Sequence, residues 1–199
     1  MKNLSLLLII CFSTMGQAQG DYENQKITIL SNSELTITGE TNISKFKCGF
    51  DSDLLQRNVG VNFIETGTGL KMKNAVLKLD NKGFNCGSKA INKDFHTLLE
   101  TVEYPEITLE INSLDLLNEF KTTALVTITI AGISKDYSVA VGNTGDPENC
   151  FSGKLKLNIK DFQLTPPKKA FGLIVIREEI MINFSLRFET SESSLAESK

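Results

Sequence analysis

From Ile180 to Phe188 apolar residues occupy every second position: Ile180, Ile182, Phe184, Leu186 and Phe188, with Met181, Asn183, Ser185 and Arg187 between them. A period of two puts alternate side chains on opposite faces, so this stretch predicts a strand with one apolar and one mostly polar face. The same period recurs along the chain. Val59, Val61 and Phe63 alternate before Gly67-Thr68-Gly69, and Leu77 and Leu79 before Asp80-Asn81-Lys82-Gly83. Ile107, Leu109 and Ile111 follow Pro105. Val126, Ile128 and Ile130 alternate with Thr127 and Thr129, and Gly132 turns the chain into Tyr137, Val139 and Val141. Gly145-Asp146-Pro147 breaks it before Leu155, Leu157 and Ile159. Ile27–Leu30 and Leu35–Thr38 are short β-rich runs, and Leu173–Ile176 leads into the last strand. Glycine, proline, asparagine and aspartate punctuate these runs as turns.

One segment departs from this period. Ile91, Phe95, Leu98 and Val102 recur at helical spacing, and Leu99 widens the stripe. Ser88 or Asn92 suits the N-cap, and Pro105 bars continuation. The pattern therefore predicts one amphipathic helix of about three turns among roughly eight antiparallel strands. The fold class is all-β, a barrel or a sandwich, with the helix covering a mouth or side of a barrel. No internal repeat and no linker divides the chain.

The first residues read as an export signal. Lys2 precedes the apolar run Leu4–Phe12, and Gly16-Gln17-Ala18 is a small-x-small cleavage pattern. The run is too short to span a bilayer. Ile10 before Cys11 argues against a lipidated cysteine. We assign residues 1–18 to a signal peptide, 19–188 to one β-domain and 189–199 to a polar, serine-rich tail. The 199-residue chain carries a net charge of −3, and cleavage removes a single lysine. That balance gives no basic footprint for nucleic acid. No later stretch is apolar enough for a membrane-spanning helix. The assignment is a periplasmic or secreted protein.

Export bears on the cysteines, because disulfides persist outside the cytoplasm. Cys48, Cys86 and Cys150 remain after cleavage, enough for one bridge. Cys48 and Cys86 each precede a glycine, which places both at element ends and favours their pairing. Pairings through Cys150, and three unpaired thiols, stay open. With one histidine and no CxxC pair, the chain offers no metal cluster.

Candidate chemistry is sparse. There is no GxSxG, HExxH, P-loop or dinucleotide fingerprint. Asp51 with Asp53, and Glu178 with Glu179, are carboxylate pairs without an accompanying base and suit solvated faces. His96 sits off the helical stripe, as a hydrogen-bonded structural histidine does. Lys93, Lys168 and Lys169 suit a lipid head group or plain surface positions, and Phe162 and Phe171 flank Pro166-Pro167 as entrance or core residues.

Several stretches resemble one known family. Asn92–Leu99 followed by Tyr104-Pro105-Glu106-Ile107-Thr108 is similar to the helix and strand start of YceI-like proteins. Val126–Lys135 resembles their strand-Gly-strand hairpin, and Gly153–Lys160 with Asp161-Phe162-Gln163-Leu164 their late strand ending in Asp-Phe-x-Leu. Ile174–Phe188 resembles the final pair of strands, and Leu35–Ser44 the opening strand and turn. The match covers most of 33–188. Cys48 and Cys86 depart from the larger branch of the family, and Lys160 stands where an arginine is usual.

The resemblance implies a lipocalin-like antiparallel barrel of the bacterial envelope whose interior holds a polyisoprenoid. The apolar sets then point inward together, and the ligand wall is Val61, Phe63, Leu77, Leu79, Phe95, Leu109, Ile111, Ile128, Ile130, Leu157, Phe162, Phe171, Ile182 and Phe184. It implies no cofactor beyond the bound lipid, and no catalytic residue. Three function classes follow: a lipid-binding module, an envelope structural protein whose barrel is filled by its own side chains, and an enzyme. An open apolar interior, a packed one, or a polar cluster within a pocket separates them.

Overall fold

The structure, a computed structural model, describes residues 22–118, 121–143, 149–167 and 173–191. The expected cleavage site after Ala18 lies outside these residues, as do Lys168, Lys169 and Phe171.

Twelve strands and one helix follow in the order β1 (Glu23–Ile29), β2 (Glu34–Thr41), β3 (Lys45–Phe50), β4 (Asn58–Thr66), β5 (Gly69–Lys73), β6 (Val76–Asp80), β7 (Phe84–Asn85), α1 (Lys89–Leu98), β8 (Glu106–Asn118), β9 (Lys121–Ile130), β10 (Ile133–Asn143), β11 (Asn149–Asn158) and β12 (Ile176–Ser191). The expected barrel is present, with more strands than the sequence suggested. Eight of them, β1-β4-β5-β8-β9-β10-β11-β12, form a closed antiparallel ring, because β12 pairs back onto β1. β2, β3 and β7 extend from β12, and β6 pairs with β8. β3 and β5 are among the additional strands: Phe46, Cys48 and Phe50 alternate in one, Leu70 and Met72 in the other.

Two long strands each serve two neighbours on the same edge. The first half of β12 pairs with β2 (Ile182↔Ile37) and its end with β1 (Phe188↔Ile29). β8 pairs with β6 at its start (Ile107↔Leu79) and with β5 near its end (Leu114↔Leu70). The barrel is thereby split into two storeys. β1, β4 and β5 wall one of them, and β2, β3, β7 and β6 wall the other. Glu189, Thr190 and Ser191 pair with β1, so β12 runs on into the stretch read as polar tail.

The second storey is packed shut. Leu79, Phe84, Ile107, Ile130, Leu157, Ile159, Phe162 and Leu164 are all buried there. A 3-10 turn over Ile159–Phe162, capped by the Asn158 side chain, drives Phe162 into the core. α1 covers this end. Ser88 caps it by accepting from the Ile91 amide at 3.2 Å, while Asn92 accepts from the Cys86 amide at 2.7 Å. Phe95 packs on Phe84, ring centroids 5.2 Å apart, and Phe84 on Phe50 at 4.9 Å.

The helical stripe is shorter than its spacing suggested. Leu99 is buried, but Ile91 is exposed and Val102, expected on the stripe, is fully exposed. The helix stops at Leu98 because Glu100 takes a left-handed conformation (φ 51°), well before Pro105 acts. The β9–β10 hairpin turns on Ala131 (φ 46°) and Gly132 (φ 75°), the two positive φ values that match strand twist.

Cys48 and Cys86 form a disulfide that ties β3 to the segment entering α1, and Cys150 is a buried free thiol. Closing the 38-residue separation stabilises the fold by about 4 kcal/mol in the chain-entropy picture. Peptide mapping without reductant should yield one linked pair, Cys48–Cys86. Cys150 should react with a thiol reagent only after denaturation; linkage through Cys150 would contradict this fold.

Candidate functional site

Strand alternation sends one side chain in two into the barrel, and in the first storey those side chains do not meet. They enclose a cavity of ≈ 210 Å³. Its wall comes from Ile27 and Ile29 of β1, Val59 and Val61 of β4, Met72 of β5, and Ala75, Val76 and Leu77 around the start of β6. Leu109, Ile111 and Leu114 of β8, Ala124, Val126 and Ile128 of β9, and Val139 and Val141 of β10 continue it. Phe151 and Leu155 of β11 and Ile182, Phe184, Leu186 and Phe188 of β12 close the ring, with Leu35 and Leu55 filling the seam between storeys. Every one of these side chains is apolar.

Several local features shape the wall. Gly153, opposite Phe184 across β11 and β12, leaves room for the phenyl ring: a Cβ there would lie 2.5 Å from Phe184 Cζ. The ring therefore lies along the wall. Phe151 and Phe188 pack together higher up, centroids 5.1 Å apart. A bulge between Ile111 and Ser113 shifts the alternation of β8, so that Leu114 faces inward. Ile182, Phe184 and Leu186 are only half-buried despite facing inward, since the cavity leaves one side of each without a packing partner.

Of the expected ligand wall, Val61, Leu77, Leu109, Ile111, Ile128, Ile182 and Phe184 line this cavity. Phe63 shares the inner face, opposite Met72, but lies outside the lining. Leu79, Ile130, Leu157 and Phe162 belong to the packed storey and Phe95 to the helix covering it, so the structure does not bring these five to the cavity. Period-two alternation identifies a face but not the level at which packing closes it. Ile27, Ile29 and Met72, inward residues of β1 and β5, join the wall beyond the expected set. Leu55 and Ala75 lie outside strands, where alternation is silent.

The charged candidates lie elsewhere. His96 Nε2 hydrogen-bonds the Asn81 carbonyl at 3.1 Å, at the covered end. Lys93 stands beside it on the outer side of α1, in a surface groove. Asp51 caps a 3-10 turn and Asp53 pairs with Arg57 at 3.3 Å. Glu178 pairs with Lys160 at 2.5 Å and Glu179 with Lys156 at 2.6 Å. No group of metal-ligating side chains occurs among the described residues.

Tyr137, on the inner face below Val139, stacks on Phe162 and donates to Asp161 Oδ2 at 2.9 Å. Burial, reinforced by the Asp161 carboxylate, holds its phenol above the ordinary tyrosine range.

An antiparallel ring with one packed and one hollow storey defines the class: a lipocalin-like barrel with an apolar internal cavity. The YceI-like domain profile matches residues 26–188, and the chain belongs to that family. In structure it is similar to BcnA of Burkholderia cenocepacia, at 16% sequence identity and TM-score 0.65, over 80% of this chain and 98% of that one. It is also similar to a polyisoprenoid binding domain from Saccharophagus degradans implicated in plant cell wall breakdown, at 14% identity and TM-score 0.59, over 83% and 98% of the two chains. No curated protein matches the sequence. Identities this low establish the shared barrel and leave the ligand to be argued from the cavity.

The Tyr137 contact has a measurable consequence. The unfolded chain ionises this phenol near pH about 10, whereas the folded chain keeps it neutral. Its contribution to stability is therefore full below that pH and is lost as pH rises above it. Urea unfolding between pH 8 and 11, round values spanning about one ordinary tyrosine pKa, should show a steeper alkaline loss in the native chain than in Tyr137→Phe. Equal slopes would mean that Tyr137 is not held neutral.

Proposed function

We propose that this chain is an exported lipid-binding protein that holds a polyisoprenoid or a similar long apolar ligand in the barrel interior. The observation that carries the reading is the hollow storey, whose wall contains no polar side chain. Such a wall recognises a ligand by burial, at about 25 cal/mol per Å² of apolar surface, and gives little directional recognition. Charged groups are excluded, since none of the wall residues compensates their desolvation. Val61, Leu77, Leu109, Ile111, Ile128, Ile182 and Phe184 are the contacts expected of the ligand.

Membership of the YceI-like family, and the likeness to a polyisoprenoid binding domain, support a lipid as occupant. The absence of ionisable side chains from the cavity wall favours binding over catalysis. The leader-like residues 1–18 and the Cys48–Cys86 bridge support export to the periplasm or beyond. The alternative, a barrel filled by its own side chains, describes the packed storey and not the hollow one.

Native mass spectrometry of protein purified from a bacterial envelope should show a co-purifying lipid. Ile128 is 1% exposed at the inner end of the cavity, so Ile128→Glu should abolish retention in the molecules that fold. Ala124→Phe fills the cavity from the wall without adding a charge, and should do the same. His96→Ala, at the covered end, should leave retention nearly unchanged. Strong loss on His96→Ala, or full retention by folded Ala124→Phe, would place the ligand outside the cavity.

A further inference from the structure

The two storeys meet at a sharp level. Leu77, Leu109, Ile128 and Leu155 are the innermost residues of the cavity wall on β6, β8, β9 and β11. One step further along the same strands and the same face stand Leu79, Ile107, Ile130 and Leu157, exposed by only 2%, 6%, 5% and 1%. Four strands thus close at the same depth. Leu79 and Ile107 are direct cross-strand partners, and Phe162, also 1% exposed, lies in the same packed core. On these four strands the cavity lining ends at one level, and the next inward side chains form its floor.

Its depth follows from the strands. On β9 the wall runs from Ala124 to Ile128 and on β12 from Ile182 to Phe188, spans of about 13 and 20 Å along the strands and about 10 to 15 Å along a barrel axis once the usual tilt is included. An extended hydrocarbon chain advances somewhat more than one ångström per carbon, so this depth takes about eight to twelve carbons.

We infer that the layer of Leu79, Ile107, Ile130 and Leu157 is a length gauge, and that the site takes about eight to twelve carbons of a hydrocarbon chain, or that length of the end of a longer one. The inference rests on reading the cavity as the ligand site. It narrows the ligand class to short-tailed amphiphiles and to long chains held by one end, with the remainder outside the barrel. Nothing in the wall reads the head group, so tail length sets affinity.

The test uses the full exported chain and displacement of the neutral fluorescent probe N-phenyl-1-naphthylamine by straight-chain primary alcohols of increasing length. Affinity should rise about fourfold per added carbon, the equivalent of about 0.8 kcal/mol per methylene, and level off near eight to twelve carbons, about the depth of the cavity. In Leu157→Ala, which deepens the floor, the levelling point should move out by about two carbons. Ile130→Val removes one methyl from the same layer at lower cost and should move it by about one. Leu116→Ala, an exposed position outside the cavity lining, should leave it in place. A native affinity that climbs unbroken to about eighteen carbons, well beyond the length that the cavity depth allows, would overturn the gauge and leave lipid binding standing. So would an unmoved levelling point in both folded floor variants. Failure of the native chain to bind the probe or any alcohol would overturn the ligand reading itself, and the gauge with it.

Discussion

The architecture depends on one constraint: a sheet edge must be satisfied along its whole length, and β12 is too long for a single neighbour. Of its sixteen residues, those from Glu179 to Phe188 pair with β11 on one side. On the other side β2 takes the first part and β1 the last. Closing a sheet on itself removes its free edges, which otherwise invite association with other chains. Closing it through two short strands rather than one long strand has a second effect. The chain leaves the ring at each junction, and the barrel below is bounded by different strands from the barrel above. β8 repeats the arrangement with β5 and β6 on the other side of the barrel.

The storeys then differ in how far they pack. The packed storey collects the aromatic contacts Phe50–Phe84–Phe95, the Phe162 turn, α1 and the disulfide. The hollow storey forgoes packing. An unfilled apolar space of ≈ 210 Å³ costs about 5 kcal/mol on the scale set by engineered cavities, as an upper value for one that is open at one end. The Cys48–Cys86 bridge stabilises by about 4 kcal/mol. A covalent tie at one end is thus of the right size to offset a cavity at the other. The cavity is a region left unpacked, and the rest of the fold carries it.

The polar groups follow the same division. His96, Asn81 and Tyr104 form a hydrogen-bonded cluster where α1 meets the start of β8, with Asn81 Nδ2 donating to the Tyr104 carbonyl at 2.8 Å. Tyr137 and Asp161 bond beside the Phe162 turn. Both clusters fix segments that leave the sheet, where backbone pairing cannot hold them. None of these groups lines the cavity, which keeps its wall free of hydrogen-bonding demands.

The sequence by itself determined which side of each strand faces inward. Ile180-Met181-Ile182-Asn183-Phe184-Ser185-Leu186 admits one orientation, because a one-residue slip would bury the polar set. It also narrowed the helix start to Ser88 or Asn92, and determined the turn at Gly132 and a family resemblance carried by Asp161-Phe162-Gln163-Leu164 and its companion stretches. Tertiary structure alone decided the depth at which the interior closes. Ile128 and Ile130 are the same residue type on the same face of the same strand, yet one lines the cavity and the other lies in the floor. The difference comes from the side chains that distant parts of the chain, Phe162 among them, bring into the packed core. Periodicity is a local property of a strand, whereas packing at a given height is set jointly by every strand around the ring. For the same reason Val102, apolar and correctly spaced, ended in solvent once Glu100 turned the chain out of the helix.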